Sequence, residues 1–115
     1  MRSVITGGAG FLGCHLAEKL VSLKHEVIIL DNFFVGRLDN LKGIKNKITI
    51  IKCDVSEKGS WGKYLKKADY VFHLAALADI VPSIEKPENY LKTNVNGTLN
   101  VLQYCNLKKL ILFTS

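Results

Sequence analysis

Between residues 6 and 13 the chain reads Thr6-Gly7-Gly8-Ala9-Gly10-Phe11-Leu12-Gly13. This glycine cluster separates a β-branched run, Ser3-Val4-Ile5-Thr6, from a stretch in which Leu12, Leu16, Leu20 and Leu23 recur at helical spacing. Gly8, Gly10 and Gly13 satisfy G-x-G-x-x-G, while Gly7, Gly10 and Gly13 satisfy G-x-x-G-x-x-G. A strand that turns sharply into a helix through such a loop brings bare backbone and the positive end of the helix dipole to one point. That arrangement suits a pyrophosphate: one glycine makes the turn, one admits the anion to the backbone, and one lets helix pack on strand. The leucine stripe is expected to form the buried face of the helix.

The rest of the chain repeats this strand–helix alternation. Val27-Ile28-Ile29-Leu30 and Ile48-Thr49-Ile50-Ile51 are short apolar runs of the kind found in strands buried on both faces. Trp61, Tyr64, Leu65 and Ala68 mark a short helix, weakened by Gly59 and Gly62. Tyr70 to Ala75 reads as a fourth strand and Lys109 to Thr114 as a fifth. Between them lies a helix with Leu91, Val95, Leu99 and Leu102 on its expected inner face. The irregular Asn32–Asn46 stretch is long for a connection, and a short helix or turn is expected around Leu38 to Leu41. The alternation predicts an α/β fold: a Rossmann-like, doubly wound parallel sheet with helices on both faces. Its 115 residues suffice for one domain, 1–115.

Asp31 closes the second strand, 18 positions after Gly13 and near the spacing of about 20 at which an acidic residue meets the adenosine ribose. A carboxylate there accepts hydrogen bonds from the ribose hydroxyls and repels a 2′-phosphate. Asn32 and Phe33 follow it rather than an arginine, so NAD is expected over NADP. No G-x-x-x-x-G-K-[ST] is present, which disfavours a P-loop nucleotidase.

Composition closes off other classes. The net charge of +6 comes from scattered lysines with no interleaved aromatic or glycine pattern, so no nucleic-acid partner is expected. No apolar run reaches the ~20 residues of a membrane span and no signal peptide is apparent, so no membrane partner and a cytoplasmic location are expected. Cys14, Cys53 and Cys105 form neither a paired framework nor a metal-ligand cluster; reduced thiols and no metal are expected.

In this order and spacing, the motifs resemble those of the extended short-chain dehydrogenase/reductases, and among them the NAD-dependent nucleotide-sugar epimerases and dehydratases. Besides Thr6 to Gly13, the matching segments are Asp31-Asn32-Phe33-Phe34-Val35-Gly36-Arg37, Cys53-Asp54-Val55, His73-Leu74-Ala75-Ala76 and Asn94-Val95-Asn96-Gly97-Thr98. The resemblance implies that NAD is bound by Gly7, Gly10, Phe11, Leu12, Gly13, Asp31, Asn32, Asp54, Val55, Leu74, Ala75, Ala76 and Asn94. It places Asp54 against the adenine amino group and the fourth-strand motif beside the nicotinamide ribose. The stretch Ala76 to Pro87, with Asp79-Ile80-Val81-Pro82-Ser83-Ile84, resembles the substrate-side loop of UDP-sugar 4-epimerases more than that of reductases, which implies a UDP-sugar substrate and 4-epimerase-like chemistry, and the family resemblance implies a homodimer for the intact protein.

Family members carry a Ser or Thr just after the fifth strand and a Tyr-x-x-x-Lys on the next helix. Phe113-Thr114-Ser115 resembles the start of that serine-rich segment, with the catalytic hydroxyl expected just beyond Ser115, so the chain is expected to be an N-terminal, partial Rossmann domain with no catalytic residue, its sheet cut after the fifth strand and its C-terminal substrate domain absent. Such a fragment alone is expected to be inactive, with an exposed fifth-strand edge that invites aggregation. Tyr104-x-x-x-Lys108 precedes the fifth strand and is read as coincidence, Tyr104 packing and Lys108 solvated. His15, His73 and Cys14 are read as structural, and Asp79 with Glu85 is not read as an acid–base pair. A non-catalytic NAD-binding module and an inactive gene fragment are the alternatives.

Overall fold

A computed structural model describes residues 1–75, 87–105 and 110–112. Five parallel strands, β1 (Arg2–Thr6), β2 (Glu26–Asp31), β3 (Ile48–Lys52), β4 (Tyr70–His73) and β5 (Leu110–Leu112), form one sheet in the order β3-β2-β1-β4-β5. The chain winds outward from β1 to β3 and then returns to the other side of β1. The β1/β4 boundary is therefore the point at which strand order reverses, where ligands of such sheets bind.

Period-2 alternation divides the strands between two cores. Val4, Ile28, Leu30 and Val71 face one side, packed with Val55, Trp61, Leu65, Ala68 and Val101. Ile5, Val27 and Ile29 face the other, packed with Ala9, Cys14, Ala17, Leu20 and Leu41. The first side is covered by α2 (Gly62–Lys66) and by a helical run at 87–104. That run comprises α3 (Pro87–Leu91), a π turn (Lys92–Asn96) and α4 (Gly97–Tyr104). The second side is covered by α1 (Phe11–Ser22). A 3-10 turn at Leu38–Leu41 occupies the expected place in the long loop.

Three expectations change. In α1 the buried residues are Gly13, Cys14, Ala17 and Leu20, whereas Leu12 and Leu23 are 60% and 55% exposed and Leu16 is half-buried. The helix lies so close to the glycine turn that a Cβ on Gly13 would strike the Gly7 carbonyl, so small residues rather than leucines face the sheet. The 87–104 run repeats this inversion. Gly97, Asn100 and Val101 are buried, Leu91, Val95 and Leu99 are exposed, and Leu102 is half-buried. Finally, β3 is an edge strand, with Thr49 exposed and its isoleucines half-buried, rather than a strand covered on both faces.

Candidate functional site

Every strand from β1 to β4 delivers its carboxyl end to one cleft. Gly7 and Gly10 enter from the turn after β1, Leu30, Asp31 and Asn32 from β2, Cys53, Asp54 and Val55 from β3, and Leu74 and Ala75 from β4. Phe34, Val35 and Gly36 form a flap beyond β2, and Thr93 reaches in from the π turn.

The glycine turn is built by the Gly7 amide donating to the Leu30 carbonyl at 2.8 Å and the Gly10 amide donating to the Gly7 carbonyl at 3.1 Å. Gly7 has a φ of +70°, and a Cβ there would lie 2.8 Å from the Ala75 nitrogen, so only glycine fits both the conformation and the approach of β4. The first intrahelical bond of α1 runs from the Cys14 amide to the Gly10 carbonyl, 2.9 Å. The amides of Phe11, Leu12 and Gly13 precede it and have no i−4 carbonyl to bond, and no side chain caps them. With no acidic residue in that first turn, the helix start presents donors and positive potential to the mouth of the cleft.

Asp31 is buried, and its carboxylate has a structural duty that its position in the sequence does not disclose. Oδ2 accepts from the Ala9 amide at 3.0 Å and Oδ1 from the Phe33 amide at 2.8 Å. Each oxygen keeps a further acceptor site. The flap is fastened to the same turn. The Arg37 amide and the Asn40 side-chain amide both donate to the Ala9 carbonyl, at 3.1 and 2.7 Å, and Gly36 packs where a Cβ would meet Asp31 Oδ2 and Ala9. Phe33 takes a left-handed φ of +61° to make this turn. Asp54 Oδ1 accepts from the Ser56 amide at 2.9 Å and the Ser56 hydroxyl at 2.6 Å, which fixes the loop after β3. Val55 is buried and its carbonyl accepts from Asn100 Nδ2 at 2.9 Å.

Of the residues singled out in the sequence, Gly7, Gly10, Asp31, Asn32, Asp54, Val55, Leu74 and Ala75 converge on this cleft. Gly13 lies behind it, at the packing point of α1 on the turn. The Phe11 and Leu12 side chains point to solvent, 81% and 60% exposed, leaving their backbone amides as the groups offered. Asn94 does not line the cleft; Thr93 does. The Gly97 amide bonds the Lys92 carbonyl five residues back, and this π turn shifts the phase of the helix by one residue. Ala76, the Asp79–Ile84 segment, Glu85, Lys108, Thr114 and Ser115 lie outside the described residues. Tyr104 packs edge-on against Trp61 and over Gly62, as a core residue. Cys14 is buried, its thiol donating to the Phe11 carbonyl, while His15 is exposed against the edge of Phe11. Burial pushes the Cys53 thiol up to about 11, helped by the nearby Asp31 and Asp54 charges, so it lines the cleft as a neutral group. No set of three potential metal ligands occurs among the described residues.

Residues 3–115 match the NAD dependent epimerase/dehydratase family. The chain is 41% identical, over 115 residues, to UDP-N-acetyl-alpha-D-glucosaminuronate decarboxylase of Bacillus cytotoxicus, covering 99% of this chain and 36% of that protein. Its fold superposes on UDP-glucose 4-epimerase of Thermotoga maritima, solved with UDP-glucose, with a TM-score of 0.86 at 33% identity, covering 97% of this chain and 37% of the other. The Thermus thermophilus UDP-glucose 4-epimerase, solved with NAD, gives a TM-score of 0.79 at 34% identity over 91% of this chain and 33% of that one. The chain thus spans about a third of the length of these relatives.

Proposed function

Because the chain belongs to the NAD dependent epimerase/dehydratase family, we propose that its cleft holds NAD and that the protein carrying it transiently oxidises a UDP-sugar, as a 4-epimerase does. The observation that carries the cofactor reading is the convergence of the glycine turn, Asp31, Asp54 and the Leu74–Ala75 segment at the strand-order reversal.

The residues present fit the dinucleotide. The Gly7–Gly10 turn and the opening amides of α1 would hold the pyrophosphate, with no side chain intervening. Asp31, each of whose oxygens has spent one acceptor site on backbone, retains two for the ribose hydroxyls. Asn32 and the flap would border the same ribose, Asp54 and Val55 the adenine, and Leu74, Ala75 and Thr93 the opposite end of the cleft. No lysine or arginine lines the cleft among the described residues, so a 2′-phosphate would meet Asp31 without a counter-charge. NAD, when bound, supplies the hydride acceptor for a sugar carbinol. The residues of this chain bind and orient; none of them is assigned the proton transfer.

A second reading has its own support, since several relatives at 41–43% identity are UDP-glucuronic acid decarboxylases of Arabidopsis thaliana. Both readings begin with the same oxidation and diverge after it. Incubating the full-length protein with NAD and either UDP-glucose or UDP-glucuronate separates them by product NMR. Inversion at the sugar C4 of UDP-glucose supports the first reading, and loss of CO2 from UDP-glucuronate supports the second. NAD binding with no turnover of either sugar leaves a non-catalytic binding module. A homodimer of the intact protein is part of the same proposal, supported by the exposed Leu91, Val95 and Leu99, and light scattering would test it.

A further inference from the structure

His73, at the end of β4, is 3% exposed, and both of its ring nitrogens are engaged. Nδ1 lies 2.7 Å from the Thr6 hydroxyl and Nε2 lies 3.0 Å from the Thr98 hydroxyl. The proton positions in this chain of contacts are determined from both ends. The Thr6 hydroxyl faces two amide donors, Leu74 N at 3.1 Å and Ala75 N at 3.2 Å, so its own proton points to His73 Nδ1. The Thr98 hydroxyl donates to the Asn94 carbonyl at 2.6 Å, so it accepts from His73 Nε2. The Thr98 end requires a proton on Nε2 and the Thr6 end a bare Nδ1, and together they fix the neutral Nε2–H tautomer.

The two ends of this chain are the walls of the cleft. At one end are the amides of Leu74 and Ala75; at the other is the π turn that turns Thr93 inward and whose Asn94 carbonyl the Thr98 hydroxyl occupies. The same helix holds a third wall through Asn100 and the Val55 carbonyl. This polar work explains why Gly97, Asn100 and Val101, rather than the leucines, face inward.

We propose that Thr6, His73, Thr98 and the Asn94 carbonyl form a positioning relay, with His73 held as the Nε2–H tautomer, that sets the Leu74–Ala75 and Thr93 walls at the spacing the cofactor needs. The proposal rests on the NAD reading above, and it assigns His73 and Thr98 a positioning role without contact to the cofactor. Burial of the imidazole, which lowers its pKa to about 4, agrees with a ring that stays neutral.

Two measurements on the full-length protein test it. Long-range 1H–15N spectra of the histidine rings at neutral pH, with His73 assigned by its loss in His73→Asn, are expected to show a protonated Nε2 and a bare Nδ1. An Nδ1–H tautomer, or a ring that titrates near 6.5, overturns the relay whether or not NAD binds. NAD affinity by calorimetry is then compared for the parent, Thr98→Val, Thr98→Ser and the destabilised control Leu20→Ala. Thr98→Val removes both hydrogen bonds of the hydroxyl, to the Asn94 carbonyl and from His73 Nε2, at constant shape and should weaken NAD about tenfold, while the hydroxyl of Thr98→Ser should restore affinity to within about twofold. Leu20→Ala, on the far part of α1, should lower the melting temperature without weakening NAD. Parent-like affinity in Thr98→Val, or equal weakening in Leu20→Ala, overturns the positioning role. A parent that binds no NAD overturns the cofactor reading and this role with it, while the tautomer result still decides the relay.

Discussion

Replacing Gly7 by alanine sets two costs on one atom. The residue holds φ at +70°, where an L side chain costs about 1 kcal/mol or more relative to glycine. The added Cβ would also lie 2.8 Å from the Ala75 nitrogen, 2.9 Å from the Leu74 carbonyl carbon and 3.0 Å from the Ala75 Cα. All three are backbone atoms, so no rotamer change relieves the contact. Moving β4 away would stretch the Leu74 amide bond to the Thr6 carbonyl, 3.1 Å, and both amide bonds to the Thr6 hydroxyl. Overpacking of this kind costs about 1–3 kcal/mol, so the total expected is about 2–4 kcal/mol. Gly43 is the matched control: its φ is ordinary and a Cβ there meets nothing within 4 Å, so alanine should be neutral or stabilising by up to about 1 kcal/mol. Urea unfolding of both variants, read by the single tryptophan, measures the difference. A Gly7→Ala loss below about 0.5 kcal/mol, or equal to that of Gly43→Ala, would refute the reasoning.

Acid should destabilise the fold through His73. Its folded pKa, about 4, lies below the ordinary 6.5, so the unfolded chain takes up the proton first. Stability is full above about pH 6.5, falls as the pH drops, and has lost about 3 kcal/mol by pH 4; His73→Asn should flatten that part of a urea-midpoint profile. Burial raises both Cys53 and Cys105 to about 11, so in the native protein at pH 8 both should react with iodoacetamide far more slowly than in the unfolded chain, as mass spectrometry of the alkylated peptides would show. Lys24, just past α1, holds a left-handed φ of +68°; Lys24→Gly should raise stability by about 0.5–1 kcal/mol in the same unfolding assay.

The parts of the site that the sequence makes legible are those where a local rule acts alone. The glycine turn, Asp31 at a strand end and the apolar strand runs each arise from a handful of adjacent residues, and the structure brings them to one cleft. Leucine periodicity misplaces the helix faces because it assumes that the largest apolar residues face the sheet. Here close approach decides instead: Gly13 on the turn and Gly97 against Val55 leave room only for small or hydrogen-bonding neighbours. Thr93 is out of reach of pattern reading because a π turn breaks the 3.6-residue phase on which such reading relies. The Thr6–His73–Thr98 chain joins residues 67 and 25 positions apart, and no spacing rule connects them. Position in the sequence points only to the proposed ribose-binding role of Asp31, although the carboxylate also accepts the amides of Ala9 and Phe33.

That carboxylate is where the central claim is most exposed to test. Calorimetric titration of the folded full-length protein with NAD and with NADP is expected to show NAD binding more tightly, because a 2′-phosphate would approach Asp31 with no lysine or arginine among the described residues lining the cleft to offset it. Asp31→Ala should narrow the gap between the two cofactors while costing about 1–3 kcal/mol of stability, as the Ala9 and Phe33 amides lose their acceptor. Equal affinities for NAD and NADP in the parent protein would contradict the assignment of Asp31, and no affinity for either would contradict the assignment of the cleft.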